Sequence, residues 1–258
     1  MRWPLMMVAV MALASSAAAK LVERDVVYGE GDPKLEGFLV TDDAWRGPRP
    51  VVLIIHDWNG LGDYEKKRAR MIAQLGYVAF AVDIYGQGVR PTQQADMARL
   101  SGTYKRDREL YRRRLQSALD FIVDQREVDR RRIAAIGYCF GGTGALELAR
   151  MGAPVRGVVS FHGGLDASAL PTVSPMKTEV LVCHGADDPF VPPAQVAAFR
   201  DEMRKARAKL TFEEYKGAVH SFTEPEAGSD PKRGAAYNQA ADVKSWNTMR
   251  TFLARVLK

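Results

Sequence analysis

The stretch Ile133–Leu146, Ile-Ala-Ala-Ile-Gly-Tyr-Cys-Phe-Gly-Gly-Thr-Gly-Ala-Leu, begins as a strand and ends as a helix. Between the two lies Gly137-Tyr138-Cys139-Phe140-Gly141, the pattern of a nucleophile elbow with Cys in the place of Ser. Each part of the pattern has a physical reason. A nucleophile on a sharp, strained turn needs small neighbours where the backbone closes on itself, and Gly137 and Gly141 meet that need. The sulfur then sits at a helix N-terminus, where the dipole favours the thiolate. The N–H of Phe140 is placed to hold a reacting carbonyl oxygen. Two other readings compete. Gly141, Gly142 and Gly144 lack the G-x-G-x-x-G spacing of a dinucleotide loop, and the next strand ends in Ser160-Phe161-His162 rather than a carboxylate. Cys139 as a buried apolar filler fits poorly between two turn glycines, whereas Cys183 inside Val180–Cys183 fits that role well.

Strands and helices alternate on either side of this stretch. Residues 21–28 and 35–41 read as an opening hairpin, with Gly29, Gly31 and Pro33 at its turn. Pro50–His56 is a continuous run rich in β-branched residues, the mark of a strand buried on both faces, and Tyr77–Ile84 is the next one. Further strands are expected at 132–137, 155–161, 180–184 and 210–215. Helices are expected at 63–75, 107–123, 141–151, 193–205 and 243–257. This order is that of an α/β domain with a largely parallel sheet covered on both faces, whose functional groups lie beyond the carboxyl ends of the strands.

Partners for Cys139 follow downstream in the order nucleophile, acid, base. Asp187 and Asp188 both follow the buried strand ending at Cys183-His184, and the Pro189–Pro192 context favours Asp188 as the acid. His220 follows the strand 210–215 and is the expected base. The chain has only four histidines; His56 and His184 end buried strands and read as core or supporting groups, and His162 as a pocket-lining residue.

The 258 residues, 47% hydrophobic and 26% charged, fit one globular domain with a substantial core. Arg2, the apolar stretch Leu5–Leu13 and the small residues Ala17 and Ala19 form a secretory signal pattern, so residues 1–19 are expected to be removed and residues 20–258 to form the mature domain, periplasmic or secreted. The apolar stretch is too short to span a bilayer comfortably, although an N-terminal anchor is the competing reading. The formal charge of +6 is spread over segments such as Tyr104–Arg114 and Arg130–Arg132, with no aromatic-basic platform for nucleic acid. Cys139 and Cys183 end different predicted strands, which argues against a disulfide between them.

Five segments together resemble the dienelactone hydrolase family over essentially all of the mature chain: Val51–Leu61 (V-V-L-I-I-H-D-W-N-G-L), Asp83–Gly86, Gly137–Gly142, Asp187–Pro192 and His220–Phe222. The resemblance implies a single-domain α/β-hydrolase fold with a mostly parallel, eight-stranded type of sheet. It implies a Cys139–His220–Asp188 triad, no cofactor and no metal. It also implies that Asp57 takes part in thiol activation, where the family usually has Glu, and that Trp58 supplies a second oxyanion N–H. The family's founding activity holds a substrate carboxylate with arginines. The aligned positions here are Gln87 and Glu224, with Arg90 nearby as a substitute anchor. Glu224 is thus expected at the pocket rim as an anion that disfavours carboxylated substrates.

The expected activity is hydrolysis of a small ester or lactone by a monomer, with no nucleic-acid partner and no stable membrane insertion. A non-catalytic ligand-binding member of the same fold is the alternative, and the complete triad argues against it. A thiol redox protein lacks a resolving C-x-x-C partner.

Overall fold

The apolar run after Pro50 becomes a strand in which every residue beyond Arg49 is buried. The computed structural model describes residues 20–31 and 33–258; the expected export signal, residues 1–19, lies outside the described residues. Among the described residues eight strands are formed: β1 (Leu21–Tyr28), β2 (Leu35–Asp42), β3 (Arg49–Ile55), β4 (Val78–Val82), β5 (Val128–Tyr138), β6 (Gly157–Phe161), β7 (Glu179–Gly185) and β8 (Leu210–Tyr215). They make one sheet in the order β1-β2-β4-β3-β5-β6-β7-β8, antiparallel at β1 and β2 and parallel from β4 to β8. This is the largely parallel α/β sheet expected from the alternation, with the eight strands that the family resemblance implies.

Among the described residues six α-helices cover the sheet: α1 (Asp63–Gln74), α2 (Gln94–Arg106), α3 (Arg108–Val123), α4 (Phe140–Arg150), α5 (Pro193–Lys205) and α6 (Gln239–Val256). Side-chain alternation along the strands divides the interior into two cores. Val51, Leu53 and Ile55 of β3 join Tyr104, Tyr111, Leu115, Leu146 and Phe199 from α2 to α5. Val52 and Ile54 join Ala69 and Ile72 of α1 and Met249 and Leu253 of α6 on the other face. Burial on both faces explains why β3, β4 and β7 read as apolar runs. Among the described residues no helix is long and apolar enough to cross a membrane.

The structure departs from the expected elements in three places. Helix α2 was not anticipated, because only Ser101 and Tyr104 along it are buried and its apolar signal is correspondingly weak. Strand β5 starts four residues earlier, at Val128, and α6 also starts four residues earlier, at Gln239. Asn238 caps α6, its side chain accepting from the N–H of Ala241.

Strand order fixes the site. The chain leaves β3 toward β4 on one side and places β5 on the other, so the loops following β3 and β5 meet at the point where the order reverses. The pairing Ile55↔Gly137 sets His56–Trp58 beside Tyr138–Phe140.

Candidate active site

Cys139 adopts φ 51° and ψ −112° between the end of β5 and the start of α4. A non-glycine residue at positive φ is costly and is held only by its surroundings. Here the surroundings are backbone. A Cβ on Gly137 would lie 1.9 Å from the Gly141 oxygen, and one on Gly141 would lie 2.1 Å from the Ile55 oxygen. The two glycines let β5, the turn and β3 approach this closely. The Cys139 N–H donates to Phe161 O at 3.0 Å and lies 3.2 Å from Nδ1 of His162, which ties the turn to the end of β6.

His220 Nε2 lies 3.0 Å from Cys139 Sγ, and its Nδ1 lies 2.8 Å from Asp188 Oδ2. The other Asp188 oxygen accepts from the N–H of Phe190 at 2.8 Å. Asp187 is exposed and accepts instead from the N–H of Gly217, so the geometry selects Asp188 from the pair. Burial alone pushes His220 down, but the Cys139 thiolate and the Asp188 carboxylate outweigh it and raise His220 to about 10. The imidazole thus sits between the thiol sulfur and a buried carboxylate that orients it.

The amides of Trp58 and Phe140 donate to no protein acceptor among the described residues, which leaves both free for an oxyanion. The loop carrying Trp58 is braced by His56, which sequence reading took as a core or supporting group, and by Tyr85 and Glu65, which it passed over. His56 Nδ1 lies 2.5 Å from Asp57 O, and its Nε2 accepts from the N–H of Ile84. Burial holds His56 neutral, lowering it to about 4. Tyr85 Oη donates to Trp58 O at 3.1 Å. Glu65 accepts from the N–H groups of Asp57 and Gly62.

Asp57 and His162 depart from the expectations for them. The Asp57 carboxylate accepts from Asn59 N at 2.6 Å and Asn59 Nδ2 at 2.9 Å, so the partner of the thiol in this conformation is His220 and not Asp57. Burial raises Asp57 to about 6 despite the Asn59 hydrogen bonds. His162 is fully buried and does not line the pocket. It stands behind the elbow, with Nδ1 at the Cys139 amide and Nε2 2.8 Å from Thr223 Oγ1, and burial keeps it neutral, well below its ordinary range.

The proposed substrate-anchoring residues are also placed differently. Gln87 is exposed and reaches Glu36 on β2. Arg90 packs along Gly60, but its guanidinium is engaged by the carbonyls of Gly86, Val89 and Glu36, with Asp83 at 3.8 Å and Glu36 at 4.0 Å. It closes its own loop rather than offering a free cation. Glu224 is not an anion at the rim. Its side chain is 15% exposed, and Oε1 is buried without a hydrogen-bond partner, 3.8 Å from His162 Nε2. Burial, followed by the charges of Asp57, Cys139 and Glu65, raises its pKa well above the usual carboxylate range.

The two cysteines are both free. Cys183 is buried, receives a contact from Tyr215 Oη at 3.6 Å, and is pushed up to about 12 by burial. No cluster of potential metal ligands occurs among the described residues.

The model of the dienelactone hydrolase family matches residues 35–257. The chain belongs to the dienelactone hydrolase family. A solved dienelactone hydrolase-like promiscuous phosphotriesterase from metagenomic libraries is 39% identical, with a TM-score of 0.88, covering 92% of this chain and 99% of its own. The probable 2-oxo-3-(5-oxofuran-2-ylidene)propanoate lactonase of a Bradyrhizobium species is 26% identical over 80% of this chain and 84% of its own length. The dienelactone hydrolase of Anabaena variabilis, 22% identical with a TM-score of 0.66 over 92% of this chain and 99% of its own, shares the fold. This dienelactone hydrolase family member is an ester or lactone hydrolase.

Proposed function

We propose that the protein hydrolyses small esters or lactones through a thioester on Cys139. The observation that carries this reading is the ordered contact from Cys139 Sγ through His220 to Asp188, at 3.0 and 2.8 Å, on a positive-φ elbow beside two free amides. His220 takes the thiol proton, and the thiolate attacks the carbonyl carbon. The N–H groups of Trp58 and Phe140 hold the oxyanion. The leaving alkoxide collects the proton from His220, leaving a thioester; in a lactone this alkoxide stays within the same molecule. His220 then deprotonates a water that attacks the thioester, and the carboxylic acid product and the free thiol are restored.

A second substrate class is favoured by the 39% identity to the promiscuous phosphotriesterase. The same thiolate and the same amides suit a neutral phosphotriester with a good leaving group. We also propose export, with cleavage near Ala19–Lys20, from the signal pattern at residues 1–19.

Turnover of activated aryl esters, lactones and an aryl dialkyl phosphate by the wild type and Cys139→Ala tests the reading. Loss of all three activities in a folded Cys139→Ala protein is expected. Wild-type turnover in that variant overturns it. N-terminal sequencing of the exported protein checks the cleavage, and retention of Met1 contradicts it.

A further inference from the structure

His162 touches both halves of the nucleophile–base pair from behind, and it takes no part in the proton transfers above. It follows β6 at φ 40°, in the left-handed region that is costly for a residue with a side chain, and it is fully buried. Its own N–H donates to Cys183 O on β7 at 2.9 Å, which fixes its backbone to the sheet. Three contacts leave its ring. Nδ1 lies 3.2 Å from the Cys139 nitrogen, whose N–H is shared with Phe161 O at 3.0 Å. Nε2 lies 2.8 Å from Thr223 Oγ1, on the turn that follows His220. The ring also packs edge-to-face on the ring of His220, with centroids 5.4 Å apart and planes at 65°.

The donors give this network a direction. The Cys139 amide can only donate, so Nδ1 is the bare nitrogen and Nε2 carries the proton. Nε2–H therefore donates to Thr223 Oγ1. The Thr223 hydroxyl in turn donates to Tyr64 Oη at 2.7 Å, which also accepts from Arg68 Nε at 3.2 Å, and the Tyr64 hydroxyl donates to Thr223 O at 3.3 Å. Arg68 Nη2 donates to the same carbonyl at 3.0 Å and pairs with Asp242 at 2.7 Å. Each hydroxyl and ring N–H from Cys139 to Arg68 has an acceptor, and the opposite tautomer of His162 would set N–H against N–H at the elbow. An imidazolium would do the same, and burial keeps His162 neutral.

Resting on the hydrolytic reading above, we propose that His162 is a positioning residue: a buried imidazole that ties the backbone of the nucleophile to the loop of the base through Thr223, and so holds Cys139 Sγ within hydrogen-bond reach of His220.

The need for such a tie is topological. Cys139 stands between β5 and α4, whereas His220 follows β8, and β6 and β7 lie between these strands in the sheet. Asp188, after β7, holds the far nitrogen of His220 and sets its orientation, but it touches nothing on the elbow. His162, at the end of β6, reaches both sides. A planar ring with an acceptor at one end and a donor at the other, and few rotatable bonds, is suited to fixing that spacing.

The test uses His162→Phe, which keeps a ring but removes both nitrogens, and Thr223→Val and Thr223→Ser, which remove and keep the hydroxyl. Activated aryl-ester kinetics, thermal melts and the rate of iodoacetamide alkylation at Cys139 are measured on each. His162→Phe should lower kcat by on the order of 10–100-fold with KM within about threefold, since a misplacement of about 1 Å at a reacting group costs on the order of a hundredfold. Thr223→Val should lower kcat roughly tenfold, and Thr223→Ser should stay within about twofold of the wild type. Alkylation of Cys139 should slow in the same order, because the reactive thiolate depends on His220. A Thr223→Val protein with wild-type kcat and alkylation rate overturns the proposal, whether or not His162→Phe folds. So does a Thr223→Ser protein as slow as Thr223→Val, or a loss carried by KM or Tm alone, either of which assigns these side chains a purely structural role. Should the wild type hydrolyse no ester, the hydrolytic reading fails, and the alkylation series still decides the role of His162.

Discussion

Replacing Gly137 by alanine would place a methyl carbon 1.9 Å from the Gly141 carbonyl oxygen, 2.2 Å from its carbonyl carbon and 2.8 Å from the Gly142 nitrogen. Ordinary contact begins at 3.4 Å, so the strand and the first turn of α4 would have to separate by about 1.5 Å. Neither side can yield freely. Gly141 already faces Ile55 O, and β5 is paired on both edges, to β3 and β6. Overpacking in a close-packed interior costs about 1–3 kcal/mol and more when backbone must move, so about 3 kcal/mol or more is expected. For a domain of this size that lowers Tm by roughly 6–12 °C. The displacement also moves Cys139 away from His220, and a 1 Å misplacement of a reacting group costs on the order of a hundredfold in rate. Gly217→Ala is the control: it also strains the backbone, at φ 78°, but nothing lies within 4 Å of the new methyl, so about 1–2 kcal/mol and unchanged kcat are expected. Thermal melts and aryl-ester kinetics on both variants measure this. A Gly137→Ala protein with wild-type Tm and kcat refutes the account of the elbow.

Asp188→Asn should lower kcat by on the order of 10³–10⁴ through loss of the orienting carboxylate, while Asp187→Asn, at an exposed turn, should leave kcat within about threefold; equal losses would reassign the acid. Iodoacetamide should modify Cys139 long before Cys183, which is buried and pushed up to about 12; peptide mapping that finds Cys183 labelled first contradicts the assignment. Glu65 is raised to about 8 by burial and the nearby Asp57 charge, so its folded-state pKa lies above its unfolded value. Its contribution to stability is fully present below the unfolded pKa and is lost as pH rises through about 8. Tm should therefore fall between pH 6 and pH 9, and Glu65→Gln, which copies the protonated acid, should reduce that fall; an equal fall in the variant would assign it to other groups.

The convergence of Cys139, His220 and Asp188 was legible because three independent local patterns each follow a strand in chain order, and the parallel sheet brings these strand ends to one edge. Cys139, Asp188 and His220 meet for that reason, although 81 residues separate the thiol from the base. The buried runs of β3, β4 and β7 were legible because sheets covered on both faces leave no polar alternation. What escaped sequence reading depends on contacts between distant segments. The bracing of Trp58 by Tyr85 and of Asp57 by Glu65 follows from how β4 and α1 pack, not from any motif. The enclosure of Glu224 arises where α1, the elbow and the 220–224 loop converge, so a residue four positions after His220, read as an anion at the pocket rim, has a buried, unpaired carboxyl oxygen whose burial raises its pKa. The same holds for Glu147 in α4. It lies fully buried against Arg112 at 2.8 Å and Arg150 at 3.1 Å, an ion cluster that sequence would assign to solvent.

The central claim is a covalent thioester on Cys139, and rapid-quench intact mass spectrometry with an activated aryl acetate tests it most directly. The account predicts that the protein gains one acetyl group within the first turnover, that peptide mapping places it on Cys139, and that Cys139→Ala shows no adduct. Release of the aryl alcohol at the wild-type rate without any acyl-protein at any quench time, or an adduct on another residue, would contradict it.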